Sequence, residues 1–161
     1  MGRVAILLAC LAALTYLPAA AQGDADVKTY RLSMDKLRKL LEVQRGLASA
    51  HEKNPELFAK LNEQSEEAEE QNGGTLSMSQ RAALMDRQPE VKRVLTDAGW
   101  TAHDYALTYE ATVIASSGMP PSTEAEKANV TLLKDNAAES QKIVAELGHL
   151  NEEMTDEDSE E

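Results

Sequence analysis

The sequence is poor in the residues from which most compact reactive sites are built. It has one cysteine, one tryptophan, one phenylalanine and three histidines in 161 residues. A single cysteine cannot close a disulfide within the chain, and C-x-x-C-H haem attachment needs a second one, so both are excluded. Positive charge is also short. Sixteen Lys and Arg stand against 28 Asp and Glu, for a formal charge of −12. Nucleic-acid binders need surplus cations to displace counterions from phosphate, so no nucleic-acid partner is expected. No G-x-x-x-x-G-K-[ST], G-x-S-x-G, H-E-x-x-H or C-x-x-C is present. The expectation is therefore a protein that is not an enzyme and carries no cofactor and no metal. Strand-like alternation is missing as well, which leaves an all-α fold.

The first residues read as an address. Arg3 is followed by an apolar run from Val4 to Pro18 and then by Ala19-Ala20-Ala21, the small-residue pattern of a signal-peptidase site. The run is short for a membrane span of about 20 residues. Residues 1–21 are expected to be a signal peptide, cut between Ala21 and Gln22. The product would be periplasmic or secreted, with no integral membrane segment and without Cys10. Leu7-Leu8-Ala9-Cys10 superficially matches a lipoprotein box, but the apolar run ahead of it is too brief.

Gly and Pro divide the remainder into pieces of helical length. Residues 22–32 are polar and without period, and read as a flexible leader. Ser33 is an expected N-cap. Met34, Leu37, Leu40, Leu41, Leu47 and Ala48 form one apolar stripe behind it. Gly46 sits inside this helix at a cost of about 1 kcal/mol relative to Ala. Asn54-Pro55-Glu56 restarts the chain, with Leu57, Phe58 and Leu61 on a short face. An acidic Gly-containing linker is expected near 66–76. Ser77 or Ser79, then Pro89, open two further helices, and Gly99 is a C′ glycine. Thr101-x-x-Asp104 caps a Tyr-bearing helix, and Ser122 starts a last one that ends at Gly148. The sum is a compact bundle of five or six helices over residues 33–149, with a disordered acidic tail at 150–161.

Met34-Asp35-Lys36, Pro89-Glu90-Val91, Gly99-Trp100-Thr101, Asp104-Tyr105-Ala106-Leu107-Thr108 and Glu126-Lys127-Ala128-Asn129-Val130 occur in an order that resembles a loosely defined group of small exported all-helical bacterial proteins of unknown function. These share a Gly-x-Thr-x-x-Asp/Glu-Tyr corner before the penultimate helix. The resemblance implies export and helicity, and brings no catalytic residue with it. Leu76-Ser77-Met78-Ser79-Gln80-Arg81 separately resembles the Leu-Thr-x-x-Gln element of small helical periplasmic chaperones, although the acidic charge departs from theirs.

Phe58, Trp100, Tyr105 and Tyr109 are the candidate binding face, or else core, since aromatics at helical spacing usually pack inward. Glu146-Leu147-Gly148-His149 is one E-x-x-H where a di-iron bundle needs two. His51 and His103 lack partners in the sequence. Asn129-Val130-Thr131 matches a glycosylation sequon. Three readings follow: binding of another macromolecule such as an exported protein, motivated by a basic first helix (Lys36, Arg38, Lys39, Arg45) set apart from acidic segments; a stress chaperone or metal buffer; and a small-molecule binder using the Tyr105/Tyr109 face.

Overall fold

The computed structural model describes residues 25–74 and 76–156, and every regular element among them is an α-helix. The expected signal peptide, residues 1–21, and its expected cleavage site lie outside the described residues, as do residues 157–161. The helices are α1 (Ala25–Thr29), α2 (Met34–Lys53), α3 (Pro55–Asn72), α4 (Met78–Asp86), α5 (Pro89–Asp97), α6 (Ala102–Ser116), α7 (Glu124–Asp135) and α8 (Ala137–Asp156). No described helix is long and apolar enough to cross a membrane.

Among the described residues there are eight helices, against the five or six expected. One of the two additions, α1, falls in the supposed flexible leader, where Val27 and Leu32 are buried. The other arises because the last helix is two. At Asn136 the backbone leaves helical geometry (φ −116, ψ 35), and Ser140 Oγ donates back to Leu133 O at 2.8 Å, bridging the break. The linker is also shorter than expected. The acidic run stays helical to Asn72, and the chain turns only at Gly73 and Gly74, both at positive φ.

Side-chain capping explains four of the eight starts. Ser33 accepts from Lys36 N, and Ser77/Gln80, Thr101/Asp104 and Thr123/Glu126 form reciprocal capping boxes. Thr123, not Ser122, is thus the cap of α7. Asn54 makes no side-chain cap bond, and Pro55 alone sets the start of α3. Gly99, at φ +65, stops α5, with Gly99 N donating to Thr96 O and Trp100 N to Leu95 O.

Helix α6 is the centre of the bundle. It packs against α1, α2, α4, α5 and α7, and nine of its fifteen residues are buried. That is why its expected stripe mixed aromatic, small and β-branched residues: no one side faces water. Helices α2 and α8 form the other main contact, lined by Leu37, Leu40 and Leu47 from α2 and Ile143 and Leu147 from α8. Helix α8 does not end at Gly148. It runs to Asp156, and Met154, 2 % exposed, sits in the core.

Candidate functional site

Of the four aromatics expected as a binding face or else core, Phe58, Tyr105 and Tyr109 are buried in the core and Trp100 packs against it. Phe58 meets His51 edge-to-face, ring centroids 5.2 Å apart, at the α2–α3 corner. His51 is buried there and is not an exposed ligand. Trp100 is half-buried, with Lys39 Nζ 5.2 Å over its ring. Tyr105 and Tyr109 lie 6.1 Å apart in the core, and Tyr105 has no exposed surface.

Between α2, α6 and α8 these tyrosines join a buried polar chain. Tyr105 OH donates to Gln44 Oε1 at 2.5 Å, Gln44 Nε2 donates to Asn151 Oδ1 at 2.5 Å, and Asn151 Nδ2 donates to Tyr109 OH at 2.5 Å. Both ends of both carboxamides are engaged, as buried amides require. Burial pushes the Tyr105 hydroxyl well above the usual phenol range, with Tyr109 adding to it. Tyr109 is pushed up to about 12 by burial, against which its bond from Asn151 works. The chain is therefore neutral at ordinary pH and contains no nucleophile. What it can do is fix three helices in one register. The Tyr105/Tyr109 face offers no accessible ring to a ligand.

A second polar pair joins α4 and α6. Arg81 Nη1 lies 3.8 Å from Glu110 Oε2, and both side chains are mostly covered. Burial raises the Glu110 carboxyl, and Arg81 draws it partly back. Arg81 Nε is buried without a hydrogen-bond partner among the described residues, so this pair is loosely made.

The remaining candidates are accounted for by local partners. Glu146 of the E-x-x-H accepts from Arg45 Nε at 2.7 Å, while His149 sits 3.2 Å from Glu153, so the two do not converge. His103 gains a partner that sequence spacing could not reveal: Asp26, at 3.8 Å, across the α1–α6 contact. Among the described residues no group of three His, Cys, Asp or Glu is arranged to hold a metal ion. Asn129 of the sequon is buried. Its Oδ1 accepts from Leu32 N and its Nδ2 donates to Tyr30 O, each at 2.9 Å, so the amide nitrogen is not available for glycosylation. The chaperone-like Leu76–Arg81 stretch has a local explanation, since Ser77 and Gln80 are the capping box of α4 and Leu76 is core.

The cations of α2 find partners at the surface of the bundle. Arg38 makes a two-point bond to Glu139 (2.7 and 3.1 Å) and reaches Asp35 at 2.8 Å. Arg45 holds Glu146, Lys36 lies 4.0 Å over Tyr30, and Lys39 covers Trp100. The acids of α3 are arranged otherwise. Glu63, Glu66, Glu67 and Glu70 follow at i, i+3, i+4 and i+7, on one side of the helix, and have no cationic partner among the described residues. Comparison with known proteins found no family model, no curated protein and no solved structure that matches the chain.

Proposed function

We propose that the protein is an exported, non-catalytic helical protein that acts by binding a basic macromolecular partner along the outer side of α3. The observation that carries this reading is the uneven use of charge. Four cations of α2 are engaged within the fold, while Glu63, Glu66, Glu67 and Glu70 stand together unpaired. Carboxylates four residues apart repel by about 0.2–0.5 kcal/mol per pair. Acids at a helix C-terminus also oppose the dipole, and α3 has no base in its last turn. A cationic partner relieves both penalties, so the free protein keeps an unfavourable patch that binding improves. Export rests on the Val4–Ala21 pattern.

Titration calorimetry with a lysine-rich peptide tests the reading. Binding is expected at low salt, weakening as salt rises. A variant carrying Glu63→Gln, Glu66→Gln, Glu67→Gln and Glu70→Gln is expected to bind at least about tenfold more weakly. Equal affinity in the variant, or no binding by the unaltered protein at low salt, overturns the reading.

A further inference from the structure

The turn between α6 and α7 holds one apolar side chain out of the bundle. Ser117 closes α6: its N–H donates to Val113 O at 2.9 Å, and its Oγ donates to Ile114 O at 2.8 Å while accepting from Met119 N at 3.2 Å. Gly118, at φ +77, then redirects the chain. Pro120 and Pro121 follow, and a proline disfavours helical geometry in the residue ahead of it. Met119 is 50 % exposed, the one exposed large hydrophobic side chain among the described residues. The other methionines described are placed differently. Met78 is 6 % exposed, in a cluster with Val27, Ala106 and Leu107. Met85 and Met154, 7 % and 2 % exposed, belong to the main core, and Met34 packs half-buried against it. A thioether is oxidised where an oxidant reaches its sulfur. In a core the resulting sulfoxide sets an unpartnered polar oxygen among apolar groups. At Met119 the new oxygen enters water.

We propose that Met119 is a modification site: a surface acceptor of oxygen from small peroxides, oxidised ahead of Met34, Met78, Met85 and Met154 and carried as the sulfoxide by an intact fold. With hydrogen peroxide, a lone pair of the sulfur attacks one peroxide oxygen, and the O–O bond breaks as the S–O bond forms. The departing hydroxide takes the proton of the transferred hydroxyl and leaves as water. Sulfur gives up two electrons and the peroxide gains them. No side chain is required as acid or base, and residues 116–123 contain none. The consequence is an order of damage. When peroxide is limiting, the methionine whose change costs the fold least is hit first, and those that pack α4 and α8 are spared.

Treatment of the folded protein with hydrogen peroxide, followed over time by peptide mass spectrometry, tests this. Sulfoxide at Met119 is expected to form at least about tenfold faster than at Met78, Met85 or Met154, with Met34 between them. In guanidinium these rates are expected to converge, because unfolding exposes every sulfur. Protein oxidised at Met119 alone is expected to keep the helical circular dichroism and the urea midpoint of untreated protein. Met119→Leu is expected to lose the fast phase of oxygen uptake and to pass a limiting dose of peroxide on to Met34 and the core. The proposal fails if Met34 or any core methionine of the folded protein is oxidised as fast as Met119, or if the fast phase survives in Met119→Leu. It fails equally if sulfoxide at Met119 alone lowers the urea midpoint. A spread of rates that persists in guanidinium also overturns it, because the fold then does not set the order.

Discussion

Gln44 Nε2 donates to Asn151 Oδ1 at 2.5 Å across 107 positions of sequence, and this bond closes the far end of α8 onto the middle of α2. Each residue also serves a tyrosine of α6. Asn151→Ala therefore withdraws a partner from Gln44 and from Tyr109 at once, in a site where Asn151 is only 7 % exposed. The expected loss is about 2–4 kcal/mol, from unmet buried polar groups. Tyr105→Phe removes one O–H and is expected to cost about 1–2 kcal/mol. Urea unfolding of the two single variants and the double variant measures their coupling. A loss for Asn151→Ala within the range of ordinary surface changes means the chain does not hold α8.

Gly46 gives a second test, because its helix cost has a packing reason. A Cβ built there would stand 2.8 Å from Val94 Cγ1, at the close approach of α2 and α5. Helix propensity alone makes Gly46→Ala favourable by about 1 kcal/mol. The clash reverses the sign, and the expected result is a net loss of about 1–2 kcal/mol. In a Val94→Ala background the same change is expected to stabilise. Thermal unfolding of the four proteins checks the inversion; a stabilising Gly46→Ala in the native background means that Val94 yields without strain.

Much of this architecture was legible because capping and periodicity are local. Ser33, Thr101/Asp104, Pro55, Pro89 and Gly99 each stand where the reading put them. The rest is obscured where composition outweighs spacing. Asn151 and Met154 continue the stripe of Ile143 and Leu147 at i+4 and i+3, but the surrounding acids mask the pattern, and Gly148, a stop by its residue type, lies mid-helix with open space around it. Gln44 was visible as a polar residue between Leu41 and Leu47 on an apolar stripe, a position that calls for a buried partner. The identity of that partner is a tertiary fact. The pairing of Arg38 with Glu139 and of Arg45 with Glu146 could not be read either, since each spans 101 positions.

The two threonine caps provide a matched comparison. Thr101 caps α6 and bonds only within its own box. Thr123 caps α7 in the same way, and its hydroxyl also donates to Lys28 O. Thr101→Ala is expected to cost about 1 kcal/mol, the ordinary worth of a cap. Thr123→Ala is expected to cost about 1 kcal/mol more, because it also releases the Lys28 carbonyl. Chemical denaturation of both variants gives the difference. Equal losses would mean that the Lys28 contact adds nothing.

The tyrosines predict how stability falls in alkali. Burial raises Tyr109 to about 12 from an ordinary 10, and raises Tyr105 well above the ordinary phenol range. A phenol raised on folding keeps its proton more tightly in the folded state. Its contribution is thus complete below pH 10 and is lost as pH climbs from 10 through about 12. For Tyr109 that amounts to about 3 kcal/mol by the upper end, at about 1.4 kcal/mol per pKa unit. Unfolding free energies across this window are expected to fall steeply in the native protein. Tyr109→Phe is expected to start lower, having lost its bond from Asn151, and to fall less steeply. Phenolate absorbance from the buried rings is expected to rise only together with the loss of helical circular dichroism. Ionisation of both rings in a protein that is still fully helical would mean that the hydroxyls reach water, and the account of Tyr105, Gln44, Asn151 and Tyr109 as a closed internal chain would be wrong.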